Sequence, residues 1–213
     1  MSETGTKLRV LVVEPQAHDA DQAVEELLAA GHEVARCVEA GQPSFPCAAY
    51  REGCPLECGR PIDVVVDVRR HARSQLAPGE FGMSCAVRKH VPLVLVGPTI
   101  LHPFGDFAVE STTDGRDVVR ACERAVARPL PAHSRAATNA LTEYLDGHAP
   151  DVTRAKVEVY RRNGALAVTV SCEPALPVSM RSMAGTRIVA AVRAIDHHAS
   201  GIDVVFADEV LVS

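Results

Sequence analysis

Tryptophan is absent from this 213-residue sequence, and aromatic residues of all kinds make up only 4% of it. A core without large rings must be filled by Val, Ala and Leu, a composition that suits a parallel sheet covered by helices. No run of about 18 apolar residues occurs, so no membrane span is expected. The opening segment, MSETGTKLRV, has no apolar stretch ahead of a cleavage site and does not read as a signal peptide. These absences predict a cytoplasmic protein, in a compartment where thiols stay reduced. Positive charge is also short: the net charge is −5, which argues against a general nucleic-acid binder. The pairs Arg69-Arg70 and Arg161-Arg162 are too brief to form a basic face. No Walker loop, dinucleotide fingerprint or nucleophile–base pair is visible, so no enzymatic activity is expected. A helix-turn-helix is missing too, and with it any sign of a DNA-binding output.

Apolar residues make up 47% of the chain, the share of a globular protein. Leu8 to Val13 reads as a buried strand, followed by a helix that Asp19 caps, with Ala20, Val24, Leu27 and Leu28 on one face. Further strands are expected over Glu33 to Cys37, Ile62 to Val68, Leu93 to Val96 and Phe107 to Val109. Helices are expected over Gly82 to His90 and Asp114 to Ala127. This alternation predicts an α/β domain, residues 1–128, with a flavodoxin-like, doubly wound parallel sheet. Ligands of such sheets bind at the carboxyl ends of the strands.

The phrase Pro61-Ile62-Asp63-Val64-Val65-Val66-Asp67-Val68-Arg69 resembles the third strand of a response-regulator receiver, which ends in the phosphoaccepting Asp. Val10-Leu11-Val12-Val13-Glu14-Pro15 resembles that family's first strand, which ends in two acids. The resemblance covers residues 7–128 and implies Asp67 as phosphoacceptor, with Glu14 beside it and Mg2+ needed only if Asp67 is phosphorylated. Departures are as informative. Pro15 stands at the second acid, the family's Thr or Ser falls near Gly97, and its Lys falls near Glu110. A receiver neutralises the moving phosphoryl charge with a metal ion and a cation, and these positions do not supply it. The chain therefore reads as a degenerate pseudo-receiver. Otherwise Asp67 is simply an acid at a strand end, solvated or paired with Arg69 or Arg70.

Between the second and third strands, residues 41–61 hold Pro43, Pro46, Pro55 and Pro61, which rule out the family's second helix. The same segment carries Cys47, Cys54 and Cys58, and Cys37 closes the strand before it. The chain has seven cysteines, an odd number that disulfides do not explain in a reducing compartment. Cys37, Cys47, Cys54 and Cys58, with Cys85 as a substitute, supply the four thiolates of an iron–sulfur cluster or a structural zinc ion. The competing readings are a thiol switch at Cys54 and Cys58, or plain packing. His71 and His102 follow the third and fourth strands and are further ligand candidates; Cys122 reads as core.

Arg128 to Ala132 is a Pro-containing linker. The second domain, residues 133–213, reads as a helix, two strands joined at Asn163-Gly164, a helix and a last strand. This α-β-β-α-β order makes a small α+β domain and, over residues 155–210, resembles the bacterial alkaline-shock protein family. That resemblance implies a non-enzymatic interaction module whose partner is another protein, a homodimer included. The expected function is a regulatory protein that senses a metal, a cluster or redox state through its cysteines and relays it to the C-terminal domain. The alternatives are a response regulator phosphorylated at Asp67 and a purely structural interaction module.

Overall fold

The structure is a computed structural model that describes residues 7–38, 53–58, 60–162, 165–197 and 199–207. The chain divides into two compact units, Met1–Arg128 and Pro129–Ser213.

The first unit runs β1 (Arg9–Val13), α1 (Asp21–Ala29), β2 (Glu33–Arg36), β3 (Val64–Val68), α2 (Gly82–Arg88), β4 (Leu93–Val96), β5 (Ala108–Thr112) and α3 (Val118–Ala127). All five strands are parallel, in the order β2-β1-β3-β4-β5. This is the flavodoxin-like order. The apolar runs in the sequence are continuous because both sheet faces are covered. Val10, Val12, Val64, Val66, Val94 and Val96 pack under α1 and α3. Leu11, Val13, Val65, Leu93 and Leu95 pack on the other face with Met83 and Ala86 of α2. Each such side chain contributes about 1.5–3 kcal/mol on burial.

Two local expectations are corrected. Leu28 is not on the inward face of α1: it is 55% exposed, and Ala20, Ala23 and Leu27 are buried instead. Asp19 does not cap α1. The Ala20 N–H that opens the helix donates to Glu14 Oε2 at 2.8 Å, and Asp19 faces Arg70 at 3.4 Å.

The second unit runs α4 (Pro131–His148), β6 (Arg154–Arg162), β7 (Ala165–Glu173), α5 (Val178–Ile195) and β8 (Ile202–Ala207). The alternating residues pair as expected, Val157 with Val170 and Val159 with Val168, in an antiparallel hairpin. Strand β8 adds parallel to β7. The inward residues meet Ala137 and Leu141 of α4 and Ala184, Ile188 and Val192 of α5. The Asn163-Gly164 turn lies outside the described residues. Among those residues, no helix is long and apolar enough to cross a membrane.

Candidate functional site

Asp67 is the fourth residue of β3, in register with Val13 on one side and Leu95 on the other. Side chains alternate along a strand, so Asp67 follows Val65 onto the α2 face, at the carboxyl edge of the sheet. The chain continues the pairing one step further, with Arg69 N–H donating to Val96 O at 2.9 Å. Gly97 makes this close approach possible. Its φ is +102°, and a Cβ there would come 1.9 Å from the Arg69 carbonyl oxygen. Position 97 has no room for any side chain.

From Arg69 the chain loops outward and returns through a short 3-10 turn, Pro78–Glu80. Gly79 passes so near β1 that a Cβ would lie 2.3 Å from the Glu14 carbonyl oxygen, and this brings Glu80 inward. Four polar side chains then meet where the fold is nearly closed to solvent: Asp67 is 1% exposed, Arg69 2%, Glu80 0% and His102 9%. Arg69 Nε lies 2.5 Å from Glu80 Oε1 and 3.2 Å from Asp67 Oδ2. Its Nη1 donates to Arg73 O at 2.8 Å. Glu80 Oε2 accepts from Ala77 N–H at 2.6 Å, so both Glu80 oxygens act as acceptors, the pattern of a carboxylate. Burial pushes the Glu80 pKa up, and the Asp67 charge adds to that. The Ala77 N–H and the Arg69 guanidinium pull the other way.

His102, from the β4–β5 connection, places Nε2 2.7 Å from Asp67 Oδ2. The Phe104 N–H donates to His102 Nδ1 at 3.1 Å. A ring nitrogen that accepts carries no proton, which leaves Nε2 to donate to Asp67 Oδ2. Asp67 Oδ2 therefore receives two hydrogen bonds, one from a cation. Among the described residues, Asp67, Glu80 and His102 are the one group of three metal-ligating side chains whose donor atoms lie within 4.8 Å of one another.

No family model matches the chain, and no curated protein or solved structure does either. Function has to be read from the site itself.

Glu14 sits near this edge, but its side chain is committed elsewhere. Besides the Ala20 N–H, it accepts from Arg36 Nη1 at 2.5 Å. Glu110 is not at the end of β5. A register shift between Leu93 and Val94 pairs it with Val94, and its largely buried carboxylate meets the exposed Arg124 and Arg128. Ser111 and Thr112 are the residues opposite Leu95 and Val96. A hydrated Mg2+ does not fit beside Asp67. It requires near-octahedral oxygen ligands and keeps several waters, whereas a buried guanidinium already lies between the two carboxylates.

The cysteines lie elsewhere in the unit. Cys37 Sγ packs against the start of α2, 2.7 Å from where a Cβ on Gly82 would be. Cys54 and Cys58 bracket one helical turn, closed by Cys58 N–H donating to Cys54 O at 2.7 Å. Leu56 of that turn joins the core beside α2. Cys85 Sγ accepts from Arg88 Nη2 at 3.5 Å. Among the described residues, no three of these sulfurs come within 4.8 Å of one another, and Cys47 lies outside those residues. Cys122 is buried in the α3 core, where desolvation pushes its thiol up to about 12, so it stays a neutral packing group. His71 is exposed on the surface.

Sequence reasoning named Asp67, Arg69 and His102 separately and missed Glu80. The signal for Glu80 was the Pro78-Gly79 pair before it, which reads equally well as an ordinary surface turn.

Proposed function

We propose that this chain is a non-enzymatic regulatory protein. Its first unit is a receiver-like module in which the Arg69 guanidinium replaces the metal ion of the phosphoryl-transfer site. One observation carries this reading: Asp67, 1% exposed, has its Oδ2 held by Arg69 Nε and His102 Nε2. A carboxylate that attacks a phosphoryl donor must be reachable, and it needs a divalent cation to neutralise the three phosphoryl oxygens. Here the Oδ2 lone pairs face two internal donors, and Pro15 stands where the family has its second acid. The flavodoxin-like strand order, with Asp67 near the end of β3, supports descent from a receiver scaffold. The second unit is a small helix-backed sheet, an architecture suited to contact with another protein.

Acetyl phosphate with Mg2+, followed by intact-protein mass spectrometry, tests the reading. No phosphoryl group is expected on the wild type. A phosphoryl adduct that disappears in Asp67→Asn would overturn it.

A further inference from the structure

In the buried cluster two carboxylates, Asp67 and Glu80, share the one guanidinium of Arg69, and His102 Nε2 lies 2.7 Å from Asp67 Oδ2. Asp67 Oδ1, on a side chain 1% exposed, has no hydrogen-bond partner, and neither has Arg69 Nη2. A buried polar atom without a partner calls for a missing group.

We infer that Asp67, Glu80 and His102 form a binding site for a divalent transition-metal ion of the zinc class, which exchanges with the Arg69 guanidinium. The donor set decides the class. One imidazole with two carboxylates suits a borderline ion such as Zn2+ better than Mg2+ or Ca2+, which favour all-oxygen shells. Zn2+ is also content with four ligands and needs no shell of waters, so it suits a site closed to solvent. The three donor atoms already lie within 4.8 Å of one another, and three convergent protein ligands are what a zinc site with one further position requires. An ion held by these two carboxylates would compete with Arg69 Nε, which now contacts one oxygen of each, at 2.5 and 3.2 Å. Entry of the ion therefore releases Arg69 from both carboxylates. Ligation through Nε2 moves the ring proton to Nδ1, which gives up the bond from the Phe104 N–H and releases no net proton. Arg69 and Glu80 flank the loop of residues 70–79, and the exchange changes how both ends of that loop are held. The metal sensing that the sequence assigned to thiols would then sit at the carboxyl edge, in the module proposed above. The inference needs Asp67 unphosphorylated but is measured independently of phosphorylation.

The experiment is a Zn2+ titration of chelator-stripped protein against a chromogenic chelator, repeated with Co2+ to read the ligand type. Wild type and a Cys47→Ser/Cys54→Ser/Cys58→Ser variant should each retain one ion per chain. Their Co2+ spectra should show the visible bands of nitrogen and oxygen ligation, without a thiolate charge-transfer band. His102→Ala should bind more weakly by about tenfold or more, and Arg69→Gln more tightly by a similar factor. Should His102→Ala fail to fold, the Co2+ spectrum of the cysteine variant decides alone. Absence of a retained ion, or loss of it with the cysteines, overturns the inference. So does a thiolate band in the wild-type spectrum, or unchanged affinity in folded His102→Ala. None of these outcomes bears on whether Asp67 accepts a phosphoryl group.

Discussion

Arg69→Gln, measured by urea unfolding in metal-free buffer, is expected to lose roughly 3–5 kcal/mol of stability, the usual cost of removing one partner from a buried ion pair. The reason is desolvation. Asp67 and Glu80 are 1% and 0% exposed, and without the guanidinium two neighbouring carboxylates must stay charged away from water or take up protons. Asp67→Asn is expected to behave differently, within about 1 kcal/mol of wild type. It leaves Arg69 paired with Glu80 at 2.5 Å, removes the like charge beside Glu80, and keeps an oxygen for the His102 Nε2–H. Zn2+ should return much of the loss in Arg69→Gln, because a ligand that binds only the folded state stabilises it in proportion to its occupancy. A small loss in Arg69→Gln together with a large one in Asp67→Asn would mean that Arg69 does not neutralise the cluster.

Gly97→Thr, which introduces the hydroxyl that receivers carry near this place, is expected to lower stability by about 2–6 kcal/mol. A φ of +102° costs a β-branched residue about 1–3 kcal/mol, and the overlap with backbone about as much again. The Cβ would sit 1.9 Å from the Arg69 carbonyl oxygen, a backbone atom that the 2.9 Å bond from Arg69 N–H to Val96 O holds in place. Gly97→Ala should lose nearly as much, since the clash begins at Cβ. Thermal unfolding of both variants checks this, and a Gly97→Ala melting temperature equal to wild type would show that the β3 and β4 ends are not locked together. Position 97 is thus closed to the hydroxyl that the receiver resemblance implies there.

The strands that carry the site were legible because burial on both faces writes itself as uninterrupted Val and Leu. Val64-Val65-Val66 could only be a central strand, and Asp67 could only stand at its carboxyl end. The hairpin of the second unit was legible through the alternation of Val157 and Val159 against Val168 and Val170. What completes the site was not legible, since it depends on loops that converge only in three dimensions. Glu80 lies in a stretch without periodicity, and its inward position depends on how near Gly79 passes to the Glu14 carbonyl. Glu14 looked like a retained acid because the sequence gives no hint that Arg36, on the neighbouring strand, captures it. Glu110 was placed at the end of β5 because a bulge leaves no mark in so short a strand. The cysteines drew attention through their spacing in the chain, but spacing says nothing about whether sulfurs meet.

The central claim is that Arg69 is the resident cation beside Asp67, and the Arg69 Nε–H resonance tests it most directly. Two-dimensional NMR of 15N-labelled, metal-stripped protein should show that resonance exchanging slowly with solvent, because the group is buried and shared by two carboxylates. It should stay in place as Mg2+ is added to millimolar levels. A fast-exchanging Arg69 Nε–H, or one displaced by Mg2+, would contradict the claim and return Asp67 to the metal-dependent chemistry of a working receiver.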